Sequence, residues 1–408
     1  VADALSRKPP LVRPQIVTGD GGWFLALPGD PEHSEDEPVL PGATRMVFDD
    51  EKDRWIVDET DVCAPIRRAL LLRVMLGIFD DRRLEIAPGI KWLRLPLPFQ
   101  LNHINVWLLR DGDGWALVDT GVFTERTREV WKRVIEEELG GAPLTRVLAT
   151  HLHPDHVGCA GWLTRKFGVE LWMSRDEYLL CRVLVADTGK PAPPEGISFY
   201  RAAGFEAPEL ERYTEFFGGF GRVVAPLPES YRRLEDESPI RIGDHSWEII
   251  VGRGHSPEHA CLLCRELGLL IAGDQVLPTI SSNVSVYPTE PAANPLKYWF
   301  ESLHKMKRLL PPDVLVLPAH GKPFIGAHPR LDQLIAEHER GLTKLRELGD
   351  KPRRAVDVFP ALFNARITDR NLIMATGEAI SHLNYLVLRG EFGVSSDAAG
   401  VKWYQQCQ

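Results

Sequence analysis

The chain reads as an α/β protein, with mixed sheets covered by helices and a small helical region appended at its end. Three observations predict this. From about residue 86 to 330, short apolar runs alternate with amphipathic helical stretches in two halves. The polar stretch Thr150-His151-Leu152-His153-Pro154-Asp155-His156 directly follows the apolar run Val147-Leu148-Ala149, as a loop at the carboxyl end of a strand would. Residues 330–349 place their charges at helical spacing before Lys351-Pro352-Arg353-Arg354.

Taken in order, the elements are these. Residues 1–85 are punctuated by Pro and Gly, with acidic patches at 33–37 and 49–51, and read as an accessory segment. Strand-like pieces are expected at 23–27 and 54–57, and a helix over 64–79. The spacing then predicts strands at 90–95, 105–110 and 116–119, helix 124–139, strand 146–149, helix 156–167 and strand 169–173. A second series follows: strands 240–242, 246–251, 260–264 and 268–272, helix 295–309 and strand 313–317. Helix 330–349 leads to two more helices and a terminal hairpin over 355–408, of winged-helix character. The implied domains are 1–85, 86–330 and 331–408. Residues 182–235 read as an irregular, aromatic-rich insertion, expected as a lid, a dimer contact or a satellite hydrophobic cluster.

Composition narrows the function. The chain of 408 residues carries 48 basic and 57 acidic side chains, a net charge of −9, so it lacks the broad cationic surface that nonspecific nucleic-acid binding requires. No apolar run reaches the ~20 residues of a membrane span. The first ten residues contain no apolar signal core, so no secretory leader is expected. The 6 scattered cysteines do not form a disulfide framework, which suits a reducing, cytoplasmic setting. Cys261 and Cys264 fall in an apolar run that reads as a strand, where positions i and i+3 face opposite ways. They are read as buried thiols in preference to a redox or zinc pair.

The chemistry concentrates in the histidine-rich loop. His151 and His153 are two residues apart, so on an extended strand end they point the same way and can grip one ion. Asp155 and His156 lie beyond Pro154, where the chain turns into a helix, and are re-aimed toward a second position. Neutral imidazoles and carboxylates suit a divalent ion of intermediate softness, zinc first, with iron and manganese also tolerated. Distant partners are required. His255 in Gly254-His255-Ser256-Pro257, Asp274 in Gly273-Asp274 and His320 in Pro318-Ala319-His320-Gly321 each follow an apolar strand, as does Asp119 in Asp119-Thr120-Gly121.

This ordered set resembles the metallo-β-lactamase-fold hydrolase superfamily, and more closely its glyoxalase II-like and lactonase-like members. The resemblance covers roughly 86–330. The region around Met374–Ala379 and His382–Leu386 is similar to the small helical domain appended to many of them. It implies a four-layer αβ/βα sandwich with a dinuclear site between the sheets. One ion would be held by His151, His153 and His255 and the other by Asp155, His156 and His320, with Asp274 bridging and Asp119 orienting a ligand or loop.

The candidate catalytic side chains are Asp155, Asp119 and His259. His259 reads either as a proton donor to a leaving group or as a polar residue on a strand edge. His103 is a further residue that could look into the cleft. Candidate substrate contacts are Asn283, Ser285 and Tyr287, in the loop after Asp274, and Phe199 and Tyr200 in the insertion. His33, His245, His304, His328, His338 and His382 read as surface or packing residues.

The expected reaction is hydrolysis of a small acyl substrate (an ester, thioester, lactone or β-lactam) by a hydroxide shared between two divalent ions, whose water pKa is lowered from ~15.7 toward neutrality. A small-molecule substrate, no membrane and no nucleic acid are the expected partners, with a homodimer as a further expectation. A phosphodiesterase or ribonuclease of the same fold is one alternative, to which Arg353, Arg354, Arg366 and Arg370 would lend positive charge. An iron persulfide dioxygenase-like or non-catalytic metal-binding member is the other.

Overall fold

The computed structural model describes residues 85–98 and 101–407, together with strand backbones at 15–19, 22–26, 46–49, 54–57 and 83–84. The chain divides into two units, Val1–Arg68 and Ala69–Gln408. In the first, β1 (Gln15–Gly19) pairs antiparallel with β2 (Gly22–Ala26), and β3 (Met46–Asp49) with β4 (Arg54–Val57). The helix expected over 64–79 lies outside the described residues.

The second unit is built on two mixed sheets. The first runs in the order β11-β10-β9-β8-β7-β6-β5. Its strands are β5 (Arg83–Ala87), β6 (Ile90–Pro96), β7 (His103–Asp111), β8 (Gly114–Val118), β9 (Leu144–Leu148), β10 (Glu170–Met173) and β11 (Arg232–Arg233). β5 to β8 form an antiparallel meander, and β8 to β11 pair in parallel through crossovers. The second sheet runs β12-β13-β14-β15-β16-β17. These are β12 (Pro239–Ile242), β13 (His245–Gly252), β14 (His259–Cys264), β15 (Leu269–Gly273), β16 (Leu315–Pro318) and β17 (Phe324–Ile325). β8, β14, β15 and β16 are buried at every position, as central strands covered on both faces must be.

Helices α1 (Glu125–Glu137), α2 (Pro154–Val157), α3 (Ala160–Phe167) and α4 (Arg175–Ala186) belong to the first half. The Thr124 hydroxyl caps α1 by accepting the Thr127 amide, and the buried Trp131 indole donates to the Thr120 carbonyl, which pins α1 against the loop after β8. The helix expected over 156–167 is broken. At Gly158 a Cβ would sit 2.6 Å from the Gly121 carbonyl oxygen, and the Cys159 amide donates to that same oxygen. The chain gives up its helical hydrogen bond there to pair with the loop that carries Asp119.

The segment 182–235 is helical where an irregular insertion was expected. It completes α4 and adds α5 (Pro194–Ala203), α6 (Ala207–Phe216) and edge strand β11. Val224, Ala225 and Leu227 are buried in the unit's core, and Gly161 packs directly on the Pro226 carbonyl. Part of it is therefore integral to the body of the sandwich. The periodicity was masked by Pro and Gly at the helix ends, such as Pro193-Pro194 and Gly204.

On the second sheet, α7 (Pro295–Leu309) packs over β13 and against α8 (Ala327–Leu348). The C-terminal domain follows: a 3-10 turn at Ala355–Val358, α9 (Phe359–Leu362), α10 (Leu372–Leu388) and the hairpin of β18 (Phe392–Ser396) and β19 (Lys402–Gln406). It shares one hydrophobic core with α7, α8 and the second sheet. Among the described residues no helix is long and apolar enough to cross a membrane. Cys261 and Cys264 are both buried in β14.

Candidate metal centre

Loops at the carboxyl ends of the strands bring the two sheets' polar residues together. β9 exits through Thr150, whose carbonyl accepts the Ala260 amide of β14 across the sandwich. Likewise the Asn105 side chain of β7 donates to the carbonyls of Pro318 and Gly321, at 2.8 and 2.9 Å, on either side of His320. These ties bring two groups of side chains side by side. His151, His153, His255 and Asp274 form one, and Asp155, His156 and His320 the other, each with its ligand atoms within 4.8 Å of one another.

Asp274 lies between the groups. Its Oδ2 faces His255 Nε2 at 3.5 Å, while its Oδ1 is 3.5 Å from both His156 Nε2 and His320 Nε2. Asp155 Oδ2 is 3.3 Å from His320 Nε2 and 3.8 Å from His156 Nε2. Gly273 precedes Asp274 at φ 50°, and a Cβ there would come within 2.5 Å of His259 Nε2, so only glycine lets the turn close on that ring.

The donor set fits a metal. His156 donates from Nδ1 to Asp119 Oδ2 at 2.8 Å, His255 from Nδ1 to the Asn283 carbonyl at 2.7 Å, and His320 from Nδ1 to the His103 carbonyl at 2.9 Å. In each ring the Nε2 lone pair is left pointing into the site. His156 Nε2, His255 Nε2 and Asp274 Oδ1 are buried with no hydrogen-bond partner. Orphaned buried acceptors are costly, and a cation is the group that would satisfy all of them at once. His151 Nε2 and His153 Nδ1 approach each other to 2.8 Å.

Electrostatics divides the two groups. Burial, reinforced by neighbouring imidazoles, holds His151 well below the usual imidazole value and lowers His153 to about 3, so both stay neutral. In the second group burial also opposes charge on His156 and His320. There the carboxylates outweigh it, Asp119 most for His156 and Asp274 most for His320, and raise both. Burial in turn pushes Asp155 and Asp274 up, but the facing imidazoles bring both below the ordinary carboxylate value.

Asp119 sits beneath the site at φ 62°. Besides holding His156 it accepts from the Thr150 amide and hydroxyl, which locks the loop that carries the ligands. His259 does not face a substrate. It is 0% exposed, and its Nε2 accepts the Asp274 amide at 3.0 Å, leaving no proton on that nitrogen to give to a leaving group. The proton-donor reading of His259 is therefore replaced by that of a support for the Asp274 turn.

The substrate-contact expectations divide. The Asn283 carbonyl meets His255, the Ser285 hydroxyl meets the Asn283 side chain, and Tyr287 is 40% exposed. Asn283 is held by Glu378 of the C-terminal domain at 2.6 Å, and Ser285 donates to the Met374 carbonyl. Phe199 and Tyr200 are corrected: Tyr200 is buried between Phe205 and Tyr213, and Phe199 packs edge-on to Tyr200 and against the core. A helix that buries one face uses its aromatics for packing. His338 and His382 are buried against each other, with His338 Nδ1 3.2 Å from His382 Nε2, beside Glu378.

Two residues escaped the sequence reading. Asn105 joins the sheets next to His320. Glu177, in the first turn of α4, is 0% exposed and accepts backbone amides from two loops. Burial pushes its carboxyl up to about 7. An acidic residue in a first helical turn reads as an ordinary dipole partner, and no spacing reveals that this one is buried.

With this geometry in place, the comparisons with known proteins are direct. Residues 100–320 match the model of the Metallo-beta-lactamase superfamily, and residues 342–407 match that of the Metallo-beta-lactamase-like, C-terminal domain. The chain belongs to the metallo-β-lactamase superfamily. A β-lactamase domain protein from Burkholderia ambifaria superimposes with a TM-score of 0.73 at 39% identity, over 80% of this chain and 94% of that one. A metallo-β-lactamase family protein from Thermus thermophilus gives a TM-score of 0.67 at 25% identity, over 79% of this chain and 100% of that one.

Among curated proteins, a hydroxyacylglutathione hydrolase of Haemophilus influenzae is 28% identical over 43% of this chain. A human acyl-coenzyme A thioesterase is 26% identical over 47% of it. The chain spans 66% and 65% of those relatives' own lengths, just under two thirds.

Proposed function

We propose that this chain is a metal-dependent hydrolase of a small acyl substrate, a thioester first, using two divalent ions, zinc foremost. The observation that supports it most is the pair of abutting ligand groups spanned by Asp274, with unpartnered Nε2 and Oδ1 atoms aimed inward. Divalent ions held there would supply Lewis acidity and a nucleophilic water at neutral pH.

The protein's own residues do the rest. His151, His153 and His255 would hold one ion as neutral ligands. Asp155, His156 and His320 would hold the other, and Asp274 would fix the spacing between them. Asp119, the Asn283 carbonyl and the His103 carbonyl set which ring nitrogen carries the proton, and so keep each Nε2 free as a donor atom. Tyr287 and Met374 are exposed, and the Met374 carbonyl meets the Asn283 and Ser285 side chains close to His255, so these two side chains would suit an apolar acyl group.

The thioester preference comes from the relatives, one named a thioesterase and the other a hydrolase of an acylated glutathione. The net charge of −9 and the tying of Arg354 to Asp357 at 2.8 Å speak for a small molecule over a polynucleotide. The test is elemental analysis of the purified protein, followed by a screen of thioesters, lactones, β-lactams and bis-nitrophenyl phosphate. Thioester turnover that is lost on chelation and restored by zinc is expected. Turnover of the phosphodiester alone, or one iron per chain with no hydrolysis, would overturn the proposal.

A further inference from the structure

Glu177 lies outside both ligand groups, yet it touches the chain on either side of one of them. Its Oε2 accepts the Leu152 amide at 2.9 Å, between His151 and His153. Its Oε1 accepts the Glu258 amide at 2.8 Å, in the loop that begins with Gly254 and His255. The loops come from different sheets, and their ligands are the three histidines of the first group.

The start of α4 reinforces the second grip. The Ser174 hydroxyl donates to the Glu258 carbonyl at 2.6 Å, and the Asp176 amide donates to the Glu258 carboxylate at 3.1 Å. The bridge from Ala260 to Thr150 joins the strand ends beneath; the Glu177 carboxylate joins the ligand-bearing loops themselves. Its two backbone partners, the Leu152 and Glu258 amides, both lie in loops that carry ligands of the first group.

We infer that Glu177 is a positioning residue for the first metal alone, setting the distance between the His151–His153 pair and His255 by accepting one backbone amide from each loop. A carboxylate suits this task because both of its oxygens accept. In Glu177→Gln one oxygen becomes an NH2 group that faces an N–H, so one loop loses its acceptor. Glu177→Asp is a methylene shorter and cannot reach both amides. The inference rests on the proposed reading of the two groups as metal-holding.

The test measures zinc affinity against a competing chromophoric chelator in two backgrounds. His320→Ala leaves the first group intact, and His153→Ala leaves the second. Adding Glu177→Gln or Glu177→Asp is expected to weaken zinc binding by about 10- to 100-fold in the His320→Ala background, the usual cost of losing a support for a ligand. In the His153→Ala background no change in zinc affinity is expected, while the amide left without an acceptor should lower the melting temperature of the metal-free protein equally in both backgrounds.

Equal losses of zinc affinity in both backgrounds, or no loss in either, would overturn the inference while leaving the metal reading standing. Failure of both Glu177 variants to fold would overturn it too, because the carboxylate would then serve the fold as a whole. Absence of zinc binding in the unmodified protein and in both backgrounds would instead remove the metal reading, and this inference with it.

Discussion

The two sheets contribute to the site in opposite ways. The first supplies His151 and His153 from the turn after β9, and Asp155 and His156 from α2, which follows at once. The second supplies His255, Asp274 and His320 from three separate strand ends. The supports differ in kind as well. His156 is held by a side chain, that of Asp119, whereas His255 and His320 are held by main-chain carbonyls. A compact turn can be oriented by one carboxylate beneath it. Ligands scattered over a sheet edge must take whatever backbone lies beside them. Side-chain mutations should therefore disturb the hydrogen bond that orients His156 while leaving in place the carbonyls that orient His255 and His320.

The largest effect is expected from His153→Ala, which should abolish metal occupancy of the first group and hydrolysis together. Elemental analysis of that variant showing a full metal load would contradict the assignment. Next comes Asp119→Ala, expected to weaken metal binding by about 10- to 100-fold through misorientation of His156 and release of the Thr150 loop. Chelator competition measures it, and an unchanged affinity would show that the turn needs no carboxylate.

A smaller effect concerns stability away from the site. Burial holds His338 at about 3 and His382 at about 4, so the folded protein keeps both neutral while the unfolded chain protonates them below about 6.5. Stability from this pair is thus fully present above that value and is lost as pH falls from 6.5 toward 4. Melting temperature should drop over this range, and less steeply in a His338→Leu/His382→Leu variant; parallel curves would contradict the account.

The smallest effect is expected from Asn283→Ala. The His255 support is the Asn283 carbonyl, which alanine retains, so metal affinity should stay within about twofold while the link to Glu378 is lost. A large loss in the same chelator assay would break the contrast between the two sheets.

Much of this was legible in the residues. The alternation of apolar runs marked most strands of both sheets, because β8, β9 and β13 to β16 are local apolar segments bounded by turns. The histidine turn was legible because its ligands are contiguous. His255, Asp274 and His320 stood out only by each following a strand, and their convergence came from resemblance. The insertion helices were missed because Pro and Gly at their ends hid short amphipathic stretches, and the aromatics of α5, Phe199 and Tyr200, looked like ligand contacts for the same reason.

What the amino-acid order determined by itself was the set of ligand types and the alternating strands and helices, since both depend on neighbours a few residues apart. Only the tertiary structure decided that Asp274 spans two groups, that His259 faces inward as a support, and that Glu177 bridges two loops. Those roles depend on hydrogen bonds between residues far apart in the chain, such as Glu177 to Glu258 and Asn105 to Pro318. No local pattern encodes such pairs, because each is formed only when the two sheets close on one another.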